Sequence, residues 1–164
     1  MRIDFLKKIM GAAVVLILMG PPSLSLAAQD KPADNMQILR DKIKADKKLV
    51  VAANMELTES EAKGFWSIYE QYQKDLQKIN QRMVNLLGSY ADDYRNKSLT
   101  DEKAKKLIDE ALAIDRAEAD LKSAYAPKLG KVLPAIKVVR YLQIENKIRA
   151  VVRYDIASGV PLVR

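Results

Sequence analysis

The sequence predicts an all-α protein, a four-helix elongated bundle or set of helical hairpins with one long heptad-patterned helix. From Phe65 to Tyr90, apolar residues recur at alternating spacings of three and four residues, as in the seam of a coiled coil. The chain of 164 residues has only 6 Gly and 6 Pro, which argues against a fold dense in tight turns. The elements are taken below in chain order.

The first 27 residues have the layout of a secretory signal peptide. Basic residues precede an apolar run from Ile9 to Met19, and small residues follow before Ala27. The alternative is a membrane anchor, but a run of 11 apolar residues falls short of the ~20 needed to span a bilayer. We therefore expect cleavage near Ala27 or Ala28, preferably after Ala27, and export to a bacterial periplasm.

After the signal peptide we expect a flexible lead over residues 28–35 and one α-helical domain over residues 36–164. The first predicted helix runs from about Asn35 to Asn54. Its apolar stripe follows helical spacing and consists of Met36, Leu39, Ile43 and Val50.

The second helix has the best-marked start in the chain. Thr58 and Glu61 form a capping-box pattern, in which each side chain can bond the backbone N–H of the other residue. The heptad seam that follows consists of Ala62, Phe65, Tyr69, Tyr72, Leu76, Ile79, Met83, Leu86 and Tyr90. A helix from residue 59 to about 94 would be ~54 Å long, so we expect an elongated molecule. Gly64 and Gly88 are expected to weaken it mildly.

The third helix is predicted to begin at Thr100, with acidic residues in its first turn, and to end or kink just before Pro127. Its expected buried side consists of Ala104, Leu107, Ile108, Ala111, Leu112, Ile114, Leu121, Ala124 and Tyr125.

The fourth helix is predicted to start around Leu133 and Pro134, with Pro at the first helical position, and to run to about Ala157. Its expected apolar set is Ile136, Val138, Val139, Leu142, Ile148, Val151, Val152 and Ile156. The apolar tail from Val160 to Val163 is expected to pack on another surface or, if left in water, to act as an association site.

A polar patch formed by Gln143, Glu145 and Asn146 interrupts the fourth helix beside its buried face. Buried polar groups need partners. The patch either fixes the register between helices, by pairing with Arg140 or a Tyr hydroxyl, or faces a water-filled cleft. On the exposed side we expect Glu145 and Arg149 to form an i,i+4 ion pair.

Composition excludes several classes of catalytic site. The chain contains neither His nor Cys, so a Ser-His-Asp triad, a thiol nucleophile, a disulfide and a His- or Cys-ligated metal are impossible. Pairs of neighbouring carboxylates, which could serve as a catalytic acid and base, are no more frequent on these helices than chance predicts. We therefore expect no enzyme activity, no catalytic residue, no cofactor and no metal.

The aromatic residues Phe65, Trp66, Tyr69 and Tyr72 allow two interpretations. At helical spacing they are typical of a core, yet aromatic side chains also make good protein-binding surfaces. Trp66 lies one position off the seam and is the best candidate to line a groove. With Arg140, these four residues are the candidate protein-binding residues.

The formal net charge of +7 also allows two interpretations. The basic residues either form ordinary solvated faces of helices, or they attract acidic clients, an anionic membrane surface or lipopolysaccharide. Nucleic acid is not an expected partner for an exported chain.

Two helix starts match each other and carry a resemblance to a known family. Leu57-Thr58-Glu59-Ser60-Glu61 aligns with Leu99-Thr100-Asp101-Glu102-Lys103, a hydrophobic residue followed by a Thr cap and acidic residues. An exported helical chain with this pattern resembles the LTxxQ-motif periplasmic stress proteins of the Spy/CpxP type. Glu61 and Lys103 stand where that motif has Gln. Phe65-Trp66-x-x-Tyr69-x-x-Tyr72 and the run from Arg140 to Lys147 are similar to uncharacterised exported relatives of the family.

The resemblance implies a cradle-shaped protein of four helices, usually a homodimer. It also implies either ATP-independent chaperoning of unfolded envelope proteins or repression of an envelope stress sensor. The metal binding of some relatives depends on His and does not carry over. We therefore expect a non-enzymatic protein-binding module of the periplasm that is chaperone-like. The alternatives are a regulatory adaptor of a sensor kinase and a basic protein that binds the envelope surface.

Overall fold

The computed structural model describes Ile43 and residues 46–163. This part of the chain forms four helices and no strand, which confirms the predicted all-α class. The helices are α1 (Lys47–Met55), α2 (Glu59–Asn96), α3 (Asp101–Leu129) and α4 (Ala135–Gly159). The predicted signal peptide, the lead over 28–35 and most of the first helix before Lys47 lie outside the described residues. None of the described helices is long and apolar enough to cross a membrane.

Each helix runs antiparallel to the one before it in the chain. Arg82 bonds Glu110 across α2 and α3, and Tyr125 bonds Asp75 nearer the other end of the same pair. The 38 residues of α2 span ~57 Å at ~1.5 Å per residue, so the predicted length of this helix is confirmed. We call the half of the bundle that contains α1 the proximal half, and the half that contains the loop over 97–100 the distal half.

The core lies mainly in the proximal half. The seam of α2 is buried from Phe65 to Ile79 and becomes only partly buried from Met83 to Tyr90. The core cluster comprises Val50, Val51, Met55, Phe65, Tyr69, Tyr72, Leu76, Tyr125, Leu129, Leu133, Val138, Tyr141, Ile144, Ile148 and Val151. The heptad pattern therefore predicted the buried face of α2 correctly, with the tightest burial at its proximal end.

The capping predictions for α2 and α3 are confirmed. Thr58 N donates to Glu61 Oε2 at 2.8 Å, and Thr58 Oγ1 accepts from Glu61 N at 3.3 Å. Lys137 of α4 also bonds Glu61 Oε2 at 2.6 Å, and its ammonium group holds the pKa of that carboxyl below its usual range. At the start of α3, Thr100 Oγ1 accepts from Lys103 N at 3.3 Å.

The prediction of one continuous first helix through Asp46 is wrong. Asp46 has an extended backbone (φ −164°, ψ 108°), and its carboxylate accepts from the backbone N–H groups of Lys48 and Leu49. An Asp in this conformation is an N-cap, so α1 starts anew at Lys47 although Ile43 is itself helical.

Both proline predictions need correction by a few residues. The prediction that α3 ends just before Pro127 is wrong, because α3 continues through Pro127 to Leu129, whose buried side chain anchors the last turn in the core. The alternative, a kink at Pro127, stays a prediction. Pro134 is the N-cap of α4 rather than its first residue, and α4 ends at Gly159 rather than Ala157.

Several residues predicted to be buried are exposed. Ile108 and Leu112 of α3 are 58% and 49% exposed, Ile136 and Val139 of α4 are 75% and 49% exposed, and Ala124 is also exposed. The tail from Val160 to Val163 is exposed as well, although Tyr90 Oη donates to Pro161 O at 2.7 Å. These positions lie on helical stripes, but no neighbouring element among the described residues covers them fully.

Gly64 is required where the connection between α3 and α4 crosses α2. A Cβ atom at Gly64 would lie 2.7 Å from Cγ1 and 2.9 Å from Cβ of Val132, which is closer than real contacts allow. A Cβ atom at Gly88 would meet nothing within 4 Å. The sequence prediction misses the packing role of Gly64, and for Gly88 it stays a prediction.

We expect Gly64→Ala to lower the free energy of unfolding by about 1–3 kcal/mol, because Val132 has to move. Gly88→Ala is the matched control and should raise it by about 0.5–1 kcal/mol through helix propensity. Urea unfolding followed by circular dichroism at 222 nm measures both. A stabilising effect of Gly64→Ala would contradict the close packing against Val132.

Candidate functional site

The aromatic candidates form the centre of the proximal core. Tyr141 of α4 packs edge-on against Phe65 (5.2 Å between ring centroids) and Tyr72 (5.9 Å) of α2. Tyr72 in turn packs edge-on against Tyr125 of α3 at 5.3 Å. Phe65, Tyr69 and Tyr72 are buried, so the core interpretation of these three residues is the one that the structure supports. In this conformation they offer no surface to another protein.

Trp66 occupies the rim of this aromatic cluster. Its ring is partly buried and meets the rings of Phe65 and Tyr69 edge-on at 5.0 and 5.3 Å. Lys48 of α1 places its ammonium group 5.2 Å from the centroid of the Trp66 ring. Of the four aromatic candidates, Trp66 is the one whose side chain is not fully buried.

Burial strongly raises the pKa of the tyrosines in this cluster. Desolvation, with a contribution from the negative charge of Glu145, raises the pKa of Tyr69, Tyr72 and Tyr141 far above the ordinary value. Desolvation and the hydrogen bond to Asp75 raise the pKa of Tyr125 to about 12. All four hydroxyls therefore stay protonated throughout the physiological range.

The polar patch of α4 divides into one buried and two exposed residues. Glu145 is completely buried, whereas Gln143 and Asn146 are exposed. The Glu145 carboxylate accepts from Lys47 Nζ of α1 at 2.8 Å and from Gln73 Nε2 of α2 at 2.9 Å, and so connects three helices. The interpretation that the patch fixes helix register therefore fits Glu145.

Of the two partners expected for the patch, a Tyr hydroxyl fits, since the Tyr141 hydroxyl interacts with Glu145, whereas Arg140 needs correction. Arg140 does not pair with Glu145 but with Glu56, with 3.0 Å between Arg140 Nη1 and Glu56 Oε2, at the junction of α1 and α2. The expected exposed ion pair between Glu145 and Arg149 does not form either, because both side chains turn inward to partners on other helices.

Arg149 belongs to a second buried charged cluster that the sequence did not indicate. Its guanidinium group contacts the carboxylate of Glu118 on α3 and donates to Asn80 Oδ1 on α2 at 2.8 Å. Arg153 Nη2 lies 3.0 Å from Glu118 Oε2 and 2.5 Å from Asp115 Oδ1. Glu118 and Arg149 are both buried, and desolvation lowers the pKa of Arg149 from its usual value.

Beyond this cluster, α3 and the end of α4 expose apolar side chains in the distal half. Counting along these antiparallel helices from the contact between Arg153 and Asp115 places Ile156 near the level of Leu112, and Val160 follows α4 in extended backbone. Ile108, Leu112 and Val160 are exposed, and Ile156 is partly buried. We call these four residues the distal cleft.

A groove that shares Ile156 with the distal cleft runs between α2 and α4. Its volume is about 310 Å³, and most of its lining is apolar. Its apolar walls in the distal half are Met83, Val84, Leu87, Val152 and Ile156, and its proximal end is lined by Ile43 and Lys47. We call it the α2–α4 groove.

Within the described part of the chain, no group of acidic side chains is placed to hold a metal ion. Comparison of the chain with protein-family models, with curated proteins and with solved structures finds no match.

Sequence reasoning missed the exposed apolar residues of the distal half as a site because helical periodicity marks a face without saying whether another helix covers it. It found Trp66 from its position one step off the seam. No signal in the sequence distinguishes Glu118 and Arg149 from the many exposed charges on the same helices.

Proposed function

We propose that this protein is a non-enzymatic protein-binding module of the periplasm that holds apolar segments of non-native proteins without ATP. The observation that carries the proposal is the distal cleft, where α3 and the end of α4 expose large apolar side chains in the same half of the bundle. Burying one such side chain contributes roughly 1.5–3 kcal/mol, so a few contacts give weak, reversible binding. Export itself remains a prediction from the first 27 residues.

The sequence resemblance supports the same proposal at the level of local structure. The LTxxQ-like segment at Leu57–Glu61 forms a complete capping box, a role that Glu61 fills as Gln would. The second copy lacks the reciprocal bond to the cap residue, and Lys103 instead pairs with Asp93 at 2.5 Å. The net charge of +7 would speed the encounter with acidic clients.

The test is suppression of the aggregation of an unfolding model protein in the absence of ATP. We expect the double variant Ile108→Asp/Leu112→Asp to need at least about fivefold more protein for the same suppression, because charges in the cleft oppose apolar contacts. The matched control is Ile136→Asp/Val139→Asp, which places two charges at equally exposed apolar positions of the proximal half.

Each alternative function has its own outcome in this experiment. No suppression by the unchanged protein at excess would eliminate the chaperone function. Saturable binding to one sensor-kinase domain, with indifference to unfolded clients, would favour the regulatory adaptor. Binding to anionic vesicles that collapses between low and physiological salt would favour the envelope-surface protein. Equal losses in both double variants would remove the distal cleft from the proposal.

A further inference from the structure

The α2–α4 groove continues the line along which α1 is bound. In the proximal half α1 lies between α2 and α4, where Lys47 Nζ bonds both Gln73 Oε1 and Glu145 Oε2 at 2.8 Å. Ile43, which precedes α1, is helical, packs against the core and lines the groove. We propose that the residues immediately before it, 36–42, bind in the α2–α4 groove of the same chain.

The direction of the chain supports this assignment. α1 is antiparallel to α4, because Lys47 pairs with Glu145 while Glu56 pairs with Arg140. Moving from Lys47 towards the N-terminus therefore means moving along α4 towards Ile156. Since Ile43 already lies at the proximal end of the groove, the preceding residues enter the groove without a reversal of the chain.

The length of the segment matches the length of the groove. From Lys47 back to Met36 is eleven residues, and from Glu145 to Ile156 along α4 is also eleven. The same number separates Leu76 from Leu87 on α2. Of the residues that bound these three intervals, four line the groove: Lys47, Ile156, Leu76 and Leu87. The intervals on α2 and α4 are helical and ~16 Å each. Asp46 has an extended backbone, which is longer per residue than a helix, so the interval from Lys47 to Met36 spans at least as much and Met36 would reach the distal end of the groove.

The chemistry of the segment also matches the groove. Met36, Leu39 and Ile43 are spaced as one apolar helical stripe, which Ile38 widens, and the other residues between them are polar. The walls facing that stripe include Val84, which is 60% exposed in the described part of the chain. Binding of residues 36–42 would bury this side chain and extend the four-helix arrangement of the proximal half into the distal half. The inference does not depend on the distal cleft.

The absence of Cys from the chain allows a disulfide test without background. The pair Met36→Cys with Leu87→Cys, introduced into the full chain, should cross-link within the monomer under a mild oxidant. The matched control is Met36→Cys with Ser89→Cys, because Ser89 is exposed, lies at the same level of α2 and lines a pocket between α2 and α3 instead. A disulfide needs Cα atoms about 4.4–6.8 Å apart, so it reports position sharply.

We expect the first pair to form an intramolecular disulfide at least about tenfold faster than the control pair. Equal rates for both pairs, or no cross-link in either, would overturn the proposal. A disulfide between two chains, seen as a dimer on a non-reducing gel, would also overturn it and would assign the groove to a second copy. Circular dichroism of the reduced variants checks that both retain the helical fold.

Discussion

Replacing Glu118 with Leu is expected to lower the free energy of unfolding by about 3–5 kcal/mol, the cost of leaving a buried partner charge uncompensated. The buried charge is Arg149, which keeps only its bond to Asn80 when Glu118 is removed. Arg149→Met should lower the free energy of unfolding by a similar amount, because it leaves the buried carboxylate of Glu118 without its main partner. Arg153 still reaches Glu118 in this variant. Urea unfolding monitored at 222 nm measures each effect.

The double variant Glu118→Leu/Arg149→Met distinguishes a buried ion pair from simple loss of packing. With both charges gone, most of the stability should return, because apolar side chains of similar volume replace an ion pair at little net cost. Arg153→Met is the control, since this side chain is 44% exposed and should contribute less than about 1 kcal/mol. Additive losses in the double variant would refute the coupling between Glu118 and Arg149.

Alkaline pH is expected to destabilise the fold steeply above pH 10. In the folded protein Tyr69, Tyr72, Tyr125 and Tyr141 all have a raised pKa, whereas in the unfolded chain they ionise near pH 10. Their contribution to stability is therefore fully present below pH 10 and is lost as the pH rises, because only the unfolded state releases the protons. Four such groups predict a fall of about 4 kcal/mol between pH 10 and pH 11.

Urea unfolding at several pH values between 9 and 11 measures this slope, and absorbance at 295 nm reports tyrosine ionisation directly. Tyr72→Phe removes one of the four groups that release a proton only on unfolding. It should therefore reduce the fall of the unfolding free energy with pH by about a quarter. A slope that is the same in Tyr72→Phe and the unchanged protein would contradict the protonated core.

Local signals in the sequence predicted much of the fold. Thr58 and Glu61 gave the start of α2, Thr100 gave the start of α3, and the heptad seam gave the buried face from Phe65 to Ile79. These features depend on backbone hydrogen bonds and side-chain spacing within one helix. The same class of signal was present but missed at Asp46, whose carboxylate starts α1.

Features that depend on how helices meet were not predictable in the same way. Tyr141 and Ile144 are buried although they were not in the predicted apolar set of α4, because the cluster around Phe65 and Tyr72 lies opposite them. Glu118, Glu145 and Arg149 are buried because each finds a charged partner on another helix. Conversely, Ile108 and Leu112 have helical spacing but no covering element among the described residues.

The two ends of this molecule are held together by different means. In the described part of the chain, four helices and packed aromatic rings hold one end, whereas α2, α3 and the last turns of α4 form the other. The core cluster lies almost wholly in the first of these ends. We therefore expect local opening to begin where α4 parts from α3 beyond the Arg153 contact, at a small part of the global unfolding energy.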